Sequence, residues 1–211
     1  MQKLADMQGI RLPAFAVFNW ETQRWSALDY FRQQSNVVIG LSFPPNLQRE
    51  TARQQLHLAI TELLMQAFSS AAEEIRLIRV AGSKLQCFIA TQEVFISVSH
   101  EPGLSLAAIS QKQQPGIDLM AVKAMDDWQD IAGIYFSPQQ IAALQQVQDG
   151  ERATLFAHYW TMMEARFKCA GIAITEYDDH VQQQMASVLK DAQIYALALP
   201  VGYIGTLILR P

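Results

Sequence analysis

Three short apolar runs, residues 94–99, 104–110 and 117–122, follow one another with only His100-Glu101-Pro102-Gly103 and residues 112–116 between them. Connections this short and this rich in turn formers join neighbouring antiparallel strands, because a parallel pair needs a crossover of about a dozen residues or more. The centre of the chain is therefore expected to be an antiparallel meander. Before it, residues 13–20 and 36–42 read as short strands around a polar, partly aromatic segment, and Phe43-Pro44-Pro45-Asn46 is a break. From residue 47 to 68 the pattern turns helical, with Leu56, Ile60, Leu63, Leu64 and Phe68 at three- and four-residue steps. Residues 74–80 read as a further strand.

After the meander, Ser137-Pro138 places an N-cap serine before a proline at the first helical position, so a helix should run from there to about Gln148. A second, longer helix is expected from Arg152 to Ala170, with Gly171 as its C-cap, and strands at 193–199 and 203–209 close the chain. Strands, a long helix and strands thus occur twice in order. The expected fold is α+β, a pseudo-twofold pair of αβ subdomains, each a small antiparallel sheet packed on a long helix. The border falls near residues 111–115, dividing the chain into halves 1–112 and 113–211.

Composition narrows the function classes. Half of the 211 residues are apolar and 17% are charged, as in a packed globular protein. The net charge of −4 and a pI near 5.5 argue against a nucleic-acid-binding surface. Cys87 and Cys169 have no metal-type spacing and read as reduced, partly buried thiols. His57, His158 and His180 share no metal spacing either. Asp6 and Arg11 interrupt the apolar residues of the N-terminus, so no signal-peptide core is expected there. No run approaches the roughly 20 apolar residues that span a membrane. A cytoplasmic protein is the expectation.

Three segments carry chemistry. Glu164 and Lys168 lie four residues apart on the long helix and so share a face. Taken alone, they are an ordinary i,i+4 ion pair. Their surroundings differ from an ordinary surface, because Phe156, Trp160, Met163 and Phe167 make the helix strongly apolar. In Gly116-Ile117-Asp118-Leu119-Met120, strand periodicity puts Asp118 and Met120 on one face and Ile117 and Leu119 on the other, toward the core. A carboxylate in such a strand needs a partner or an ion; an arginine or a backbone amide would serve as well as a metal. Ser99-His100 ends a strand. Neighbours on a strand face opposite ways and no Gly-x-Ser-x-Gly elbow is present, so a nucleophile–base pair is not indicated. Both side chains could face a phosphate oxygen, or the histidine could simply cap the turn.

Taken in order, Ser99-His100, Gly116-Ile117-Asp118 and Trp160-Thr161-Met162-Met163-Glu164-Ala165-Arg166-Phe167-Lys168 resemble the 4′-phosphopantetheinyl transferases, specifically the monomeric, surfactin-synthetase-activating type. Phe136-Ser137 and Gly171 fit the same pattern, and the resemblance runs from about Arg49 to the C-terminus. It implies coenzyme A in a cleft between the halves, with the metal site carried by the second half. Asp118 and Glu164 would be oxygen ligands to Mg²⁺. Glu164 would also be the base, and Lys168 would neutralise charge on the pyrophosphate. Ser99, His100, Arg53 and Lys84 would hold coenzyme A phosphates. A serine of an acyl or peptidyl carrier protein would receive the phosphopantetheine, releasing adenosine 3′,5′-bisphosphate.

The chain departs from that pattern at several positions. Met120 stands where a second strand carboxylate is usual, and a thioether is a poor Mg²⁺ ligand. Met163 replaces a lysine, Gly82-Ser83-Lys84-Leu85 only approximates the family's Gly-Lys-Pro turn, and Glu101 adds negative charge beside the phosphate site. The alternative these departures motivate is a catalytically weakened module that binds coenzyme A or a carrier protein.

Overall fold

The computed structural model describes residues 12–79 and 85–211. In chain order, strands β1 (Ala14–Phe15) and β2 (Phe18–Asn19) lead into helix α1 (Trp20–Gln34), strand β3 (Asn36–Ser42) and helix α2 (Arg49–Phe68). Strands β4 (Ile75–Arg79), β5 (Leu85–Ile89), β6 (Gln92–Glu101), β7 (Leu104–Ser110) and β8 (Gln114–Ala121) follow. Helices α3 (Trp128–Tyr135), α4 (Pro138–Gln146), α5 (Asp149–Ala170) and α6 (Asp179–Val188) precede β9 (Gln193–Leu197) and β10 (Tyr203–Arg210). Hydrogen bonds sort the strands into two sheets, ordered β2-β3-β7-β6-β5-β4 and β1-β9-β10-β8. The α+β class expected from the sequence is the one observed.

The meander is realised only in part. β6 and β7 pair antiparallel, but β8 leaves that sheet and pairs with β10 instead. The Ser110 hydroxyl accepts the backbone N–H groups of Lys112 and Gln113 at 3.3 and 3.0 Å, which turns the chain out of the first sheet as β7 ends. β7 is buried on both faces. Leu104, Leu106 and Ala108 pack between the sheets with Val38, Ile117, Leu119 and Leu207, whereas Ala107 and Ile109 pack under α1 and α2 against Phe31, Leu56 and Ile60. A strand covered on both sides reads as an unbroken apolar run, and this one does.

β8 is an edge strand of its own sheet, yet its outer side is buried against β6. There the Ser97 and Ser99 hydroxyls accept the backbone N–H groups of Ile117 and Leu119 at 3.1 and 3.2 Å. Side chains thus supply the acceptors that a neighbouring strand would otherwise provide. Ser97→Ala is expected to strand the Ile117 N–H and destabilise the fold by about 1–3 kcal/mol. Urea titration would measure it, and a midpoint equal to wild type would show the N–H to be satisfied elsewhere.

Four elements escape the sequence pattern. Residues 13–20 are two two-residue strands in different sheets, β1 beside β9 and β2 beside β3. α1 follows at once, capped by Asn19, whose side chain accepts from the N–H groups of Glu21 and Thr22. It is not legible in the sequence because only Trp20, Ala27, Leu28 and Phe31 are buried and Gln23 departs from helical geometry. β5, α3 and α6 are not anticipated either, and α5 begins at Asp149 rather than near Arg152. The Ser137 cap with Pro138 and the left-handed Gly171 C-cap stand as expected.

Helix α5 lies against β8 and β10. Ala165 and Cys169 pack on Ile208, and the Thr161 and Thr206 hydroxyls share a hydrogen bond of 3.0 Å. The helix comes so close to β8 that only a glycine fits beneath it at Gly116. A β-carbon there would lie 2.5 and 2.6 Å from the Cys169 nitrogen and Cβ and would collide with the Ala165 carbonyl oxygen. On its other side, Phe156, Met163 and Phe167 join Phe136, Leu144 and Met185 in a core shared with α3, α4 and α6. Among the described residues, no helix is long and apolar enough to cross a membrane.

Candidate active site

β8, β6, α2 and α5 border a cleft of about 300 Å³. Strand periodicity sends Ile117 and Leu119 into the inter-sheet core and leaves Asp118 facing α5, as the sequence indicates. Asp118 is only 3% exposed. Its Oδ1 accepts from Lys168 Nζ at 2.6 Å and from the Ser99 hydroxyl at 2.7 Å. Lys168 Nζ is also 3.3 Å from Glu164 Oε2, so one ammonium is shared between two carboxylates. The pair that looks like an ordinary surface contact in the sequence is part of a three-membered charge cluster at the margin of a buried helix.

The cleft draws on both sides of the chain's midpoint. Arg49, Arg53, Ser99, His100 and Glu101 contribute from the first half, and Asp118, Trp160, Glu164 and Lys168 from the second. Arg53 contacts Glu50 at 3.5 Å and also lines the cleft. His100 Nδ1 shares a hydrogen bond of 2.8 Å with its cross-strand neighbour Ser105. Ser99 spends its hydroxyl hydrogen on Asp118 while accepting from Leu119, so it acts on the strand that carries the carboxylate. Lys84 lies outside the described residues.

Two members of the cleft, Arg49 and Glu101, are not singled out as site residues by the sequence pattern. Arg49 stands four residues before Arg53 on α2 and so shares its face, a spacing that could have revealed it. Glu101 figures in the sequence only as an unwelcome charge. Burial pushes its carboxyl above the usual range, while the Ala121 N–H, Lys123 and Arg49 pull it back and Glu164 adds to the rise. The turn that follows it is held by Tyr203, whose hydroxyl donates to the Pro102 carbonyl at 2.6 Å. That hydroxyl also fills the space beside Gly103, which adopts a left-handed φ of +88°.

Burial likewise pushes the Asp118 carboxyl up to about 7, against the charge of Lys168 and with that of Glu164, while hydrogen bonds from Lys168 and Ser99 draw it down. A carboxyl raised in this way favours the folded state when protonated. Its contribution is greatest below the normal carboxylate range and is lost as pH rises through about 7. In chelator, the wild type should therefore lose stability between about pH 4 and pH 7. Asp118→Asn should flatten that profile by roughly 2–4 kcal/mol, read from denaturation midpoints at each pH. Parallel profiles for the two proteins would mean that the carboxyl is not raised.

The donor set suits a hard divalent cation that keeps several other ligands. Among the described residues, no three His, Cys, Asp or Glu side chains converge as a ready-made metal cage. Mg²⁺ needs no such cage, since it commonly binds one or two carboxylates together with substrate phosphates and water. Asp118 and Glu164 supply that minimum. Met120 is packed against the apolar cluster of α3–α6. The thiols play no part. Burial pushes Cys87 up to about 12, and Cys169 donates to the Gln114 carbonyl at 3.2 Å.

The architecture defines a class: a two-sheet α+β protein with paired carboxylates facing arginine and histidine across a cleft. Comparison with known proteins shows what part of the chain is similar to. Residues 114–195 match the family model of the 4′-phosphopantetheinyl transferase superfamily. The chain is similar to the 4′-phosphopantetheinyl transferase HetI of a Nostoc species, with 29% identity over 41% of this chain and 36% of that protein. It is also similar to slr0495 of a Synechocystis species, provisionally named a 4′-phosphopantetheinyl transferase, with 27% identity over 38% of this chain and 33% of that one. The matches thus span about a third of either relative. The family match covers Asp118, Glu164 and Lys168 and stops short of Arg53, Ser99 and His100.

Proposed function

We propose that the chain transfers 4′-phosphopantetheine from coenzyme A to a serine hydroxyl of an acyl or peptidyl carrier protein, as a monomeric enzyme of the surfactin-synthetase-activating type in the cytoplasm. The observation that carries this reading is the cluster in which Lys168 lies 2.6 Å from Asp118 and 3.3 Å from Glu164, inside a cleft that Arg49, Arg53 and His100 also line. Carboxylates on one wall and cations on the other suit a polyphosphate presented with a metal ion. The halves 1–112 and 113–211 would be the two walls of that cleft.

Asp118 and Glu164 would hold Mg²⁺, which when bound supplies charge neutralisation to the pyrophosphate oxygens. Glu164 accepts the proton of the carrier's serine as its oxygen bonds to the β-phosphorus. The bond from that phosphorus to the bridging oxygen breaks, and adenosine 3′,5′-bisphosphate leaves. Lys168 offsets the negative charge that builds on the departing oxygen. Arg53 and His100 bind phosphate, with Lys84 and Ser99 as further candidates, Ser99 also fixing the orientation of Asp118. No nucleic acid or membrane has a role in this reading.

The packing of Met120 against the apolar cluster of α3–α6 favours one alternative: a module of the same fold that binds coenzyme A or a carrier but turns over slowly. Incubation with coenzyme A, Mg²⁺ and apo-carrier, followed by intact mass spectrometry, decides between them. A carrier that gains the mass of phosphopantetheine supports transfer. Carriers of fatty-acid, polyketide and peptide-synthetase origin that all stay unmodified would overturn it, and coenzyme A binding in that case would favour the module.

A further inference from the structure

His100 and Glu101 reach the cleft from the end of β6, where the chain turns back into β7. Glu101 and Leu104 are the last cross-strand partners, and Pro102 and Gly103 form the tip between them. The Ser97 and Ser99 hydroxyls tie β6 to β8 before the tip is reached. Beyond them, contacts from outside the hairpin hold it. The Phe43 N–H donates to the Gly103 carbonyl at 2.9 Å, just before the break that leads into α2 and its arginines. The Ala121 N–H, at the end of β8, donates to the Glu101 carboxylate. The Tyr203 hydroxyl donates to the Pro102 carbonyl at 2.6 Å. Ala121 and Tyr203 are partners across β8 and β10, so both fasten the tip to one place on the sheet that carries Asp118.

We propose that Tyr203 is a positioning residue for the phosphate-binding wall of the cleft: its hydroxyl holds the β6–β7 tip on the second sheet and so sets where His100 meets a phosphate of coenzyme A. The inference rests on the transfer reading above. Tyr203 touches no substrate in it and acts through the turn. The contact joins residues 101 apart in the chain, so nothing local to the hairpin replaces it.

Both ends of the contact are built for it. The Tyr203 ring packs against the inter-sheet cluster that includes Leu104, Leu119 and Leu207, which fixes where its hydroxyl lies. At the other end, Gly103 takes a left-handed φ of +88°, and a β-carbon there would stand 2.7 Å from that hydroxyl. The tip is thus shaped to receive the phenol. Within the hairpin, His100 Nδ1 shares its 2.8 Å hydrogen bond with Ser105, its cross-strand partner. The imidazole is therefore fixed relative to the hairpin, and it moves when the hairpin moves.

Calorimetric titration with coenzyme A tests the proposal on wild type, Tyr203→Phe, His100→Ala and the double variant. Phenylalanine keeps the packed ring and removes only the hydroxyl, so the thermal midpoint should fall by no more than about 4 °C. Tyr203→Phe is expected to weaken coenzyme A binding about threefold to tenfold, the worth of one hydrogen bond. Once His100→Ala has removed the side chain being positioned, the same change should cost less than twofold. A matched control is Tyr195→Phe in β9, whose hydroxyl meets Gln193 at 2.8 Å; it should leave affinity within twofold of wild type. Unchanged affinity in Tyr203→Phe would overturn the proposal, as would an equal loss with and without His100, or an equal loss in Tyr195→Phe. Each of those results leaves the transfer reading standing. Failure of wild type to bind coenzyme A would overturn both readings.

Discussion

Glu164→Gln is expected to leave phosphopantetheine transfer about a thousandfold or more below wild type, with the fold intact. The substitution keeps the shape of the side chain and an oxygen for Lys168, 3.3 Å away in the wild type. It removes the proton acceptor, an effect worth about a hundred- to ten-thousandfold for a positioned base, and one of the two carboxylates at the cleft. Lys168 keeps its 2.6 Å contact to Asp118, so the local structure has no reason to move. Single-turnover rates at saturating carrier would measure the loss, and a thermal melt would verify the fold. A rate within tenfold of wild type would refute Glu164 as the base.

The second large effect is structural. Gly116→Ala should destabilise the protein by about 2–4 kcal/mol and depress activity together with stability. The added methyl meets the backbone of α5 at Ala165 and Cys169 rather than the end of a flexible side chain, so no rotamer change relieves it. Strand and helix must separate. Asp118, two residues along the strand, would then part from Lys168, which directly precedes Cys169. Gly133→Ala is the matched control, since a β-carbon there meets nothing within 4 Å and alanine favours a helix. Denaturation midpoints for both variants test the contrast. If Gly116→Ala is as harmless as Gly133→Ala, the close approach of α5 to β8 is not needed.

Both effects concern residues whose placement is partly readable in the sequence. Helical spacing joins Glu164 to Lys168, and strand alternation turns Asp118 away from Ile117 and Leu119. Those are local rules, obeyed wherever the element forms. Local rules also mislead. The apolar run of β8 reads as a third meander strand, yet the Ser110 turn and the free edge of β10 take it into the other sheet. The glutamate–lysine pair reads as a surface contact because nothing in one helix tells where a strand will pack.

By itself, then, the sequence determined the α+β class, the helix that carries Glu164 and Lys168, its Gly171 end, and a resemblance in residue order to the phosphopantetheinyl transferases. Only the tertiary structure decided that one ammonium bridges Asp118 and Glu164, that Ser97 and Ser99 cap the edge of β8, and that Arg49 and Glu101 enter the cleft. The division has a physical cause. Periodicity and capping act over a few residues, whereas the cleft forms from the docking of two sheets and two helices. The residues brought together there, from Arg49 through His100 to Lys168, lie far apart along the chain and meet only once both halves have packed.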